Sequence, residues 1–153
     1  MKIRLVRDED YAAIARLHRQ TIRNINSKDY PEDIIQIWSA RSNAQRFRSN
    51  SDRCKRWVAI QDNKIVGFCD HGFNGEFWGL YVHKDYIGKG IGSRLLKTAE
   101  DSLRRYGCKK ITIKSTITAK DFYLKHGYKV IKKDLHPIKD KKMPIFVMSK
   151  TLI

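Results

Sequence analysis

The stretch Glu76–Glu100 constrains this chain more than any other. Glu76–Val82 reads as a strand and His83–Ile87 as a short loop. Gly88, Gly90 and Gly92 then fall within five residues, and Arg94–Glu100 continues as a helix. Glycines at such a junction let backbone N–H groups approach a ligand and point at it together, and the helix behind them adds its positive end. That arrangement suits a phosphate or pyrophosphate. The spacing narrows the choice. A dinucleotide fingerprint needs G-x-G-x-x-G, but the run here is G-x-G-x-G, with Ser93 where the last glycine would fall. A Walker loop fails as well, because Gly88-Lys89 is followed by Gly90 and not by Ser or Thr.

The rest of the chain frames this junction. Residues 2–7 alternate as a strand. Asp8 caps a first helix, with Glu9 and Asp10 in its first turn and Ile14, Leu17, Ile22 and Ile25 at helical spacing. Pro31, Glu32 and Asp33 open a second helix. Trp57–Ile60 and Lys64–Cys69 flank the turn-forming Gln61-Asp62-Asn63 as a hairpin, and a turn at Gly72–Gly75 leads into the strand at 76–82. Gly107 stops the helix after the glycine loop. A strand follows at Lys110–Lys114, a short helix at Ala119–His126, and strands at Tyr128–Lys132 and Ile145–Leu152. The order β-α-α-β-β-β-α-β-α-β-β predicts an α/β fold, one domain over residues 1–153. Its central sheet is mixed, of about seven strands, with helices on both faces.

Composition restricts the functional classes. Hydrophobic residues make up 41% and charged residues 31% of the 153, which suits a globular chain with a core and not a disordered one. No run approaches the roughly 18 apolar residues of a membrane span. The N-terminus is too short in its apolar part for a secretion signal. Cys54, Cys69 and Cys108 are isolated, so reduced thiols and a cytoplasmic location are expected. The five histidines lie at no zinc-like spacing, and no metal is expected. The net charge of +16 would suit nucleic acid or another polyanion. The basic clusters, at residues 41–56 and 139–142, lack the interleaved aromatics of single-strand binding surfaces.

Two segments together carry a family resemblance. Leu80-Tyr81-Val82, a short loop, and Gly88-Lys89-Gly90-Ile91-Gly92-Ser93 opening a helix resemble the Q/R-x-x-G-x-G/A pyrophosphate motif of the GNAT N-acetyltransferase superfamily. Ala119-Lys120-Asp121-Phe122-Tyr123-Leu124-Lys125-His126-Gly127-Tyr128 is similar to that family's A-x-x-F-Y-x-x-x-G-F segment. The order of elements agrees from residue 2 to residue 152. Ile87 stands where the family usually has Gln or Arg, and Thr116 where it commonly has Asn.

The resemblance implies acetyl-CoA as co-substrate and a primary amine, on a small molecule or a protein, as acceptor. It places pantetheine between two splayed parallel strands, those ending at Val82 and Ser115. Backbone groups of Leu80, Tyr81 and Val82 would bond its amides. Gly88, Lys89, Gly90, Ile91, Gly92 and Ser93 would hold the pyrophosphate, Lys89 and Arg94 would suit the 3′-phosphate, and Thr116 would lie near the pantetheine arm. Tyr123 is the implied general acid, since a phenol of pKa about 10 can protonate a leaving thiolate. Glu76, six residues before Val82, is the implied general base, directly or through a water, with Asp70 and His71 as alternatives. Tyr30, Trp38, Trp78 and Phe146 are candidate acceptor walls. The positive charge weakly disfavours a polycationic acceptor. A monomer or homodimer without membrane attachment is expected. A non-catalytic acyl-CoA-binding regulator is the alternative, and a basic nucleic-acid-binding module a more remote one.

Overall fold

The computed structural model describes residues 1–152. Seven strands form one sheet: β1 (Lys2–Leu5), β2 (Lys55–Gln61), β3 (Lys64–His71), β4 (Glu76–Val82), β5 (Lys110–Thr116), β6 (Lys129–Ile138) and β7 (Lys141–Thr151). Their order across the sheet is β1-β2-β3-β4-β5-β7-β6. All neighbours are antiparallel except β4 and β5, the two strands joined by the crossover helix. The expected mixed sheet is therefore present, with helices on both faces.

Five α-helices accompany it: α1 (Tyr11–Asn24), α2 (Glu32–Ala40), α3 (Ala44–Ser49), α4 (Ile91–Arg105) and α5 (Lys120–Lys125). Alternation along β2 and β3 sorts the core. Ala59 and Cys69 face α4, joining Leu95, Leu96, Ala99 and Leu103 of its apolar stripe and Tyr123 of α5. Val58 and Phe68 face the other way, onto Ile14 and Leu17 of α1 and Phe47 of α3. A third cluster packs Ile34, Ile35 and Trp38 of α2 against Ile138, Met143 and Ile145 of the β6–β7 hairpin.

Several boundaries differ from the sequence expectation. Asp8 does not start a helix. Residues 8–10 form a 3-10 turn, and the Asp10 carboxylate accepts from the Arg7 N–H at 2.7 Å and from both terminal nitrogens of the Arg4 guanidinium. Helix α3 was not expected; Asn43 caps it by accepting the Arg46 N–H at 2.8 Å. The last two strands run much further than expected, because a tight turn with Lys139 at φ 52° lets them pair from Ile138–Lys141 to Lys129–Ser149.

The parallel ladder positions the site. β4 and β5 pair only at Glu76–Thr112 and Phe77–Ile113. From Trp78 onward the two strands have no ladder between them, so each presents an open edge to the gap. On its other side β4 stays paired with β3, with a register shift where Asp70 faces Gly79 and His71 faces Phe77. The bulge at Trp78 turns β4 locally, a common device beside functional sites.

Candidate active site

The gap between β4 and β5 opens into a cavity of about 440 Å³. Its sides are the free edges of Trp78–Val82 and Ile113–Thr116, and its far end is the glycine loop. Gly88 and Gly90 both adopt φ +81°, the left-handed region that glycine enters without strain, and a Cβ at either would meet nothing within 4 Å. Gly90 is the N-cap of α4. The first amides of a helix have no acceptor inside it, so those of Ile91, Gly92 and Ser93 are available at the cavity end. Gly92 serves packing instead, since its Cβ position lies 3.3 Å from the Phe122 ring.

Leu80, Tyr81, Val82, Gly88, Gly90, Ile91, Gly92, Ser93 and Thr116 all line this cavity. Lys89 does not. Its side chain is exposed, with Nζ 5.2 Å from the Tyr86 ring centre. Arg94 is exposed on the first turn of α4. The Thr116 hydroxyl accepts the Ala119 N–H at 3.1 Å and thereby helps to start α5. The mouth is framed by His126, whose Nε2 lies 2.9 Å from Ser93 Oγ while Nδ1 lies 2.8 Å from the Phe122 carbonyl.

Tyr123 reaches the cavity from α5 and is 2% exposed. Its ring packs on Phe77, Phe122 and Tyr128. Burial pushes its phenol well above the ordinary tyrosine value, so the proton stays on oxygen throughout the neutral range.

A second cavity of about 230 Å³ lies on the α1 face of the sheet. Trp78 and Tyr81 line both cavities and form the shared wall. Around the second are His18 of α1, Trp38 of α2, Arg46 and Phe47 of α3, Arg56 and Asp70 of the sheet, and His136, Ile138 and Met143 of the hairpin. Tyr81 stacks on Phe68 at 5.2 Å and meets His18 edge-on at 4.7 Å. Desolvation, with Arg46, Arg56 and Arg19 nearby, lowers His18 to about 3, so its ring is neutral; Nδ1 sits 2.6 Å from Ser42 Oγ. Burial raises the Asp70 carboxyl, partly offset by the Arg56 charge and its hydrogen bond.

The proposed bases separate. Glu76 lines neither cavity. It stands at the lower end of β4, where its carboxylate accepts the Asn74 N–H at 2.9 Å across the tight turn. His71 is fully buried, with Nδ1 2.7 Å from the Gly72 carbonyl and Nε2 3.5 Å from the Trp57 indole nitrogen, and it too lines neither cavity. Asp70 is the one carboxylate on the second cavity. Of the expected acceptor walls, Trp38 and Trp78 line the second cavity. Tyr30 is instead a brace. Its hydroxyl donates to the Pro144 carbonyl at 2.6 Å and accepts the Ile117 N–H at 2.9 Å, tying the hairpin to the end of β5. Phe146 lies under the Lys120 ammonium, 4.6 Å from its ring centre, outside the second cavity.

Sequence reasoning missed His18, Arg41, Arg46 and His136. Arg41 and Arg46 had registered only as members of a basic cluster, and nothing in their spacing marks a cavity. Among the described residues no group of three or more His, Cys, Asp or Glu could hold a metal, no helix is long and apolar enough to cross a membrane, and all three cysteines are free.

Comparison with known proteins agrees with this geometry. The family profile of the acetyltransferase (GNAT) domain matches residues 26–152. An uncharacterised N-acetyltransferase of Escherichia coli K12, YafP, is 25% identical over 132 residues, 86% of this chain and 83% of its own length. A GCN5-related N-acetyltransferase from Rhodopseudomonas palustris superposes with a TM-score of 0.94 at 24% identity, over 99% of this chain and 95% of its own. The PaiA N-acetyltransferase of Thermoplasma acidophilum, solved with coenzyme A, gives 0.80 at 23% identity, over 99% and 100%. A profile spanning most of the chain, a sheet that splays beside a glycine loop and a buried tyrosine at the gap converge: this chain belongs to the GNAT acetyltransferase family.

Proposed function

We propose that this chain transfers an acetyl group from acetyl-CoA to a primary amine, with the thioester held where Trp78 and Tyr81 separate the two cavities. The observation that carries this reading is the shared wall: one cavity ends at a backbone anion cradle, the other at the buried carboxylate of Asp70. Pantetheine in the first cavity would take up the open edges of β4 and β5 as an added strand, and the glycine loop and the α4 amides would hold the pyrophosphate. A β4 N–H aimed at the thioester oxygen would stabilise the charge that develops there.

The chemistry needs an amine free of its extra proton, a polarised carbonyl and a protonated leaving thiolate. Asp70 takes the amine proton, directly or through a water. Burial raises its pKa, which favours it as a base over an exposed carboxylate, and it lines the second cavity, which Glu76 does not. The amine nitrogen bonds the carbonyl carbon, the C–S bond breaks, and Tyr123 gives its phenolic proton to the sulfur. From ammonium to amide the nitrogen loses two protons, the first to Asp70 before attack and the second to water as the C–S bond breaks; the thiolate gains one from Tyr123, and solvent restores both side chains with one proton released net.

Two measurements test this. Acetyl-CoA at saturating concentration should raise Tm, since it binds the folded chain. Thiol release over an amine panel should then show turnover. A Tm shift without turnover of any amine would favour the non-catalytic acyl-CoA binder, and absence of a shift would remove both readings.

A further inference from the structure

The second cavity carries a charge pattern that the transfer reaction itself does not require. Each guanidinium nitrogen of Arg56 is engaged: Nε donates to Asp70 at 2.8 Å, one terminal nitrogen to the Phe47 carbonyl at 3.0 Å, the other to Asn50 at 3.0 Å. Arg56 and Asp70 thus neutralise each other inside the wall. Arg41 and Arg46 line the same cavity, and among the described residues neither guanidinium has a hydrogen bond or an ion pair. The Arg46 charge acts on His18, and the Arg41 charge acts on His136. His136 adds a polar atom of its own, since Nδ1 is buried without a partner. Arg41, Arg46 and His136 thus bring uncommitted polar atoms to this cavity, which also has apolar walls from Trp38, Phe47, Ile138 and Met143.

We infer that the acceptor is a small amine that also carries an anionic group, a carboxylate or a phosphate, bound by Arg41 and Arg46. This rests on the acetyl-transfer reading above and specifies its acceptor. A planar guanidinium matches such oxyanions with paired donors, and two of them on one cavity, Arg41 half-buried and Arg46 exposed, would prefer an anion. A volume near 230 Å³ holds a molecule of amino-acid size, about eight water volumes at ~30 Å³ each. The apolar walls suit a hydrocarbon or aromatic portion. A polyamine would bring several positive charges against two unpaired ones and should be rejected.

The test pairs each anionic amine with its uncharged counterpart. L-phenylalanine is set against phenethylamine, and O-phosphoethanolamine against ethanolamine, with spermidine as the polycation. The readouts are thiol release and the Tm of the protein saturated with CoA. The expected result is that at least one anionic member exceeds its counterpart by about 10-fold or more in kcat/KM. Which pair shows it separates carboxylate from phosphate. Arg41→Gln and Arg46→Gln should each cut that preference about 10-fold, through KM, and Arg→Lys at the same position should restore part of it. If no anionic member is preferred in either readout, or if spermidine is the best acceptor, the inference is overturned. Either result, with some amine turned over, leaves the acetyl-transfer reading standing; that reading fails separately, when acetyl-CoA produces no Tm shift or when no amine of the panel is turned over.

Discussion

Arg56 of β2 and Asp70 of β3 stand opposite each other in the sheet register, joined by a 2.8 Å hydrogen bond from Nε, with the Arg56 side chain 1% and the Asp70 side chain 8% exposed. Removing one partner of a buried pair strands the other's charge in a poor solvent. Arg56→Met should therefore cost about 3–5 kcal/mol, and the double variant Arg56→Met/Asp70→Asn considerably less. Denaturant midpoints of the two proteins decide it: equal losses would mean that the pair is not the origin of the effect.

The same burial fixes the pH behaviour of Asp70 as a base. A carboxyl whose pKa is raised keeps its proton to higher pH and can accept another only above that value. The rate, as kcat/KM, should rise with pH through a limb lying above the ordinary carboxylate range. Asp70→Asn should lower kcat by about 100-fold or more and abolish that limb. An unchanged profile in the variant would reassign the base.

Tyr123→Phe removes one oxygen from a packed ring and leaves the ring contacts with Phe77 and Phe122. Turnover should fall by about 100-fold while the acetyl-CoA-induced Tm shift persists. A wild-type rate in this variant would exclude the tyrosine as acid.

Gly90→Ala probes the cradle separately from the fold. Added at φ +81° with nothing within 4 Å, a methyl group meets no neighbour in the free protein. Strain alone should cost about 1–2 kcal/mol, and the larger effect should be on acetyl-CoA, with KM up about 10-fold as the methyl occupies ligand space. Comparable effects on Tm and none on KM would place the pyrophosphate elsewhere.

Asp10 supplies an acid-side test of stability. Hydrogen bonds from Arg4, with the Arg7 N–H and nearby charge, hold its carboxyl below the usual range. A lowered folded-state pKa contributes stability that is complete above the unfolded value, near 3.8, and is lost as pH falls through the folded one. Asp10→Asn should cost about 1–3 kcal/mol at neutral pH. Its deficit against the wild type should start to close as pH falls below the unfolded value near 3.8 and vanish below the lowered folded one, in acid-titrated unfolding curves.

What could be read from residues alone was whatever periodicity and glycine spacing encode. Leu95, Leu96, Ala99 and Leu103 announce α4, and Gly88 and Gly90 announce a backbone turn that other residues resist. The second cavity announces itself nowhere, because its parts come from α1, α2, α3, three strands of the sheet and the final hairpin, brought together only by packing. Glu76 illustrates a different limit. Its position on the strand is legible, but the competing Asn74 N–H, which captures its carboxylate, exists only once the turn has closed. Helix α3 was hidden because Ala44–Ser49 carries one deeply buried apolar side chain, Phe47, too few to set up a period.

The short β4–β5 ladder has a mechanical consequence. Two residue pairs, with the nearby Thr112 N–H to Gly75 carbonyl bond of 2.9 Å, are the seam by which a four-stranded and a three-stranded plate are stitched together. The stitch is close: a Cβ on Gly75 would lie 2.5 Å from the Lys110 carbonyl oxygen. Above it no ladder joins the two edges, so amides on the open edges of β4 and β5 should exchange with solvent faster than those of the β2–β3 ladder. A bound strand-like ligand should act as a wedge that locks the plates, and that slowing of exchange would be confined to the upper gap.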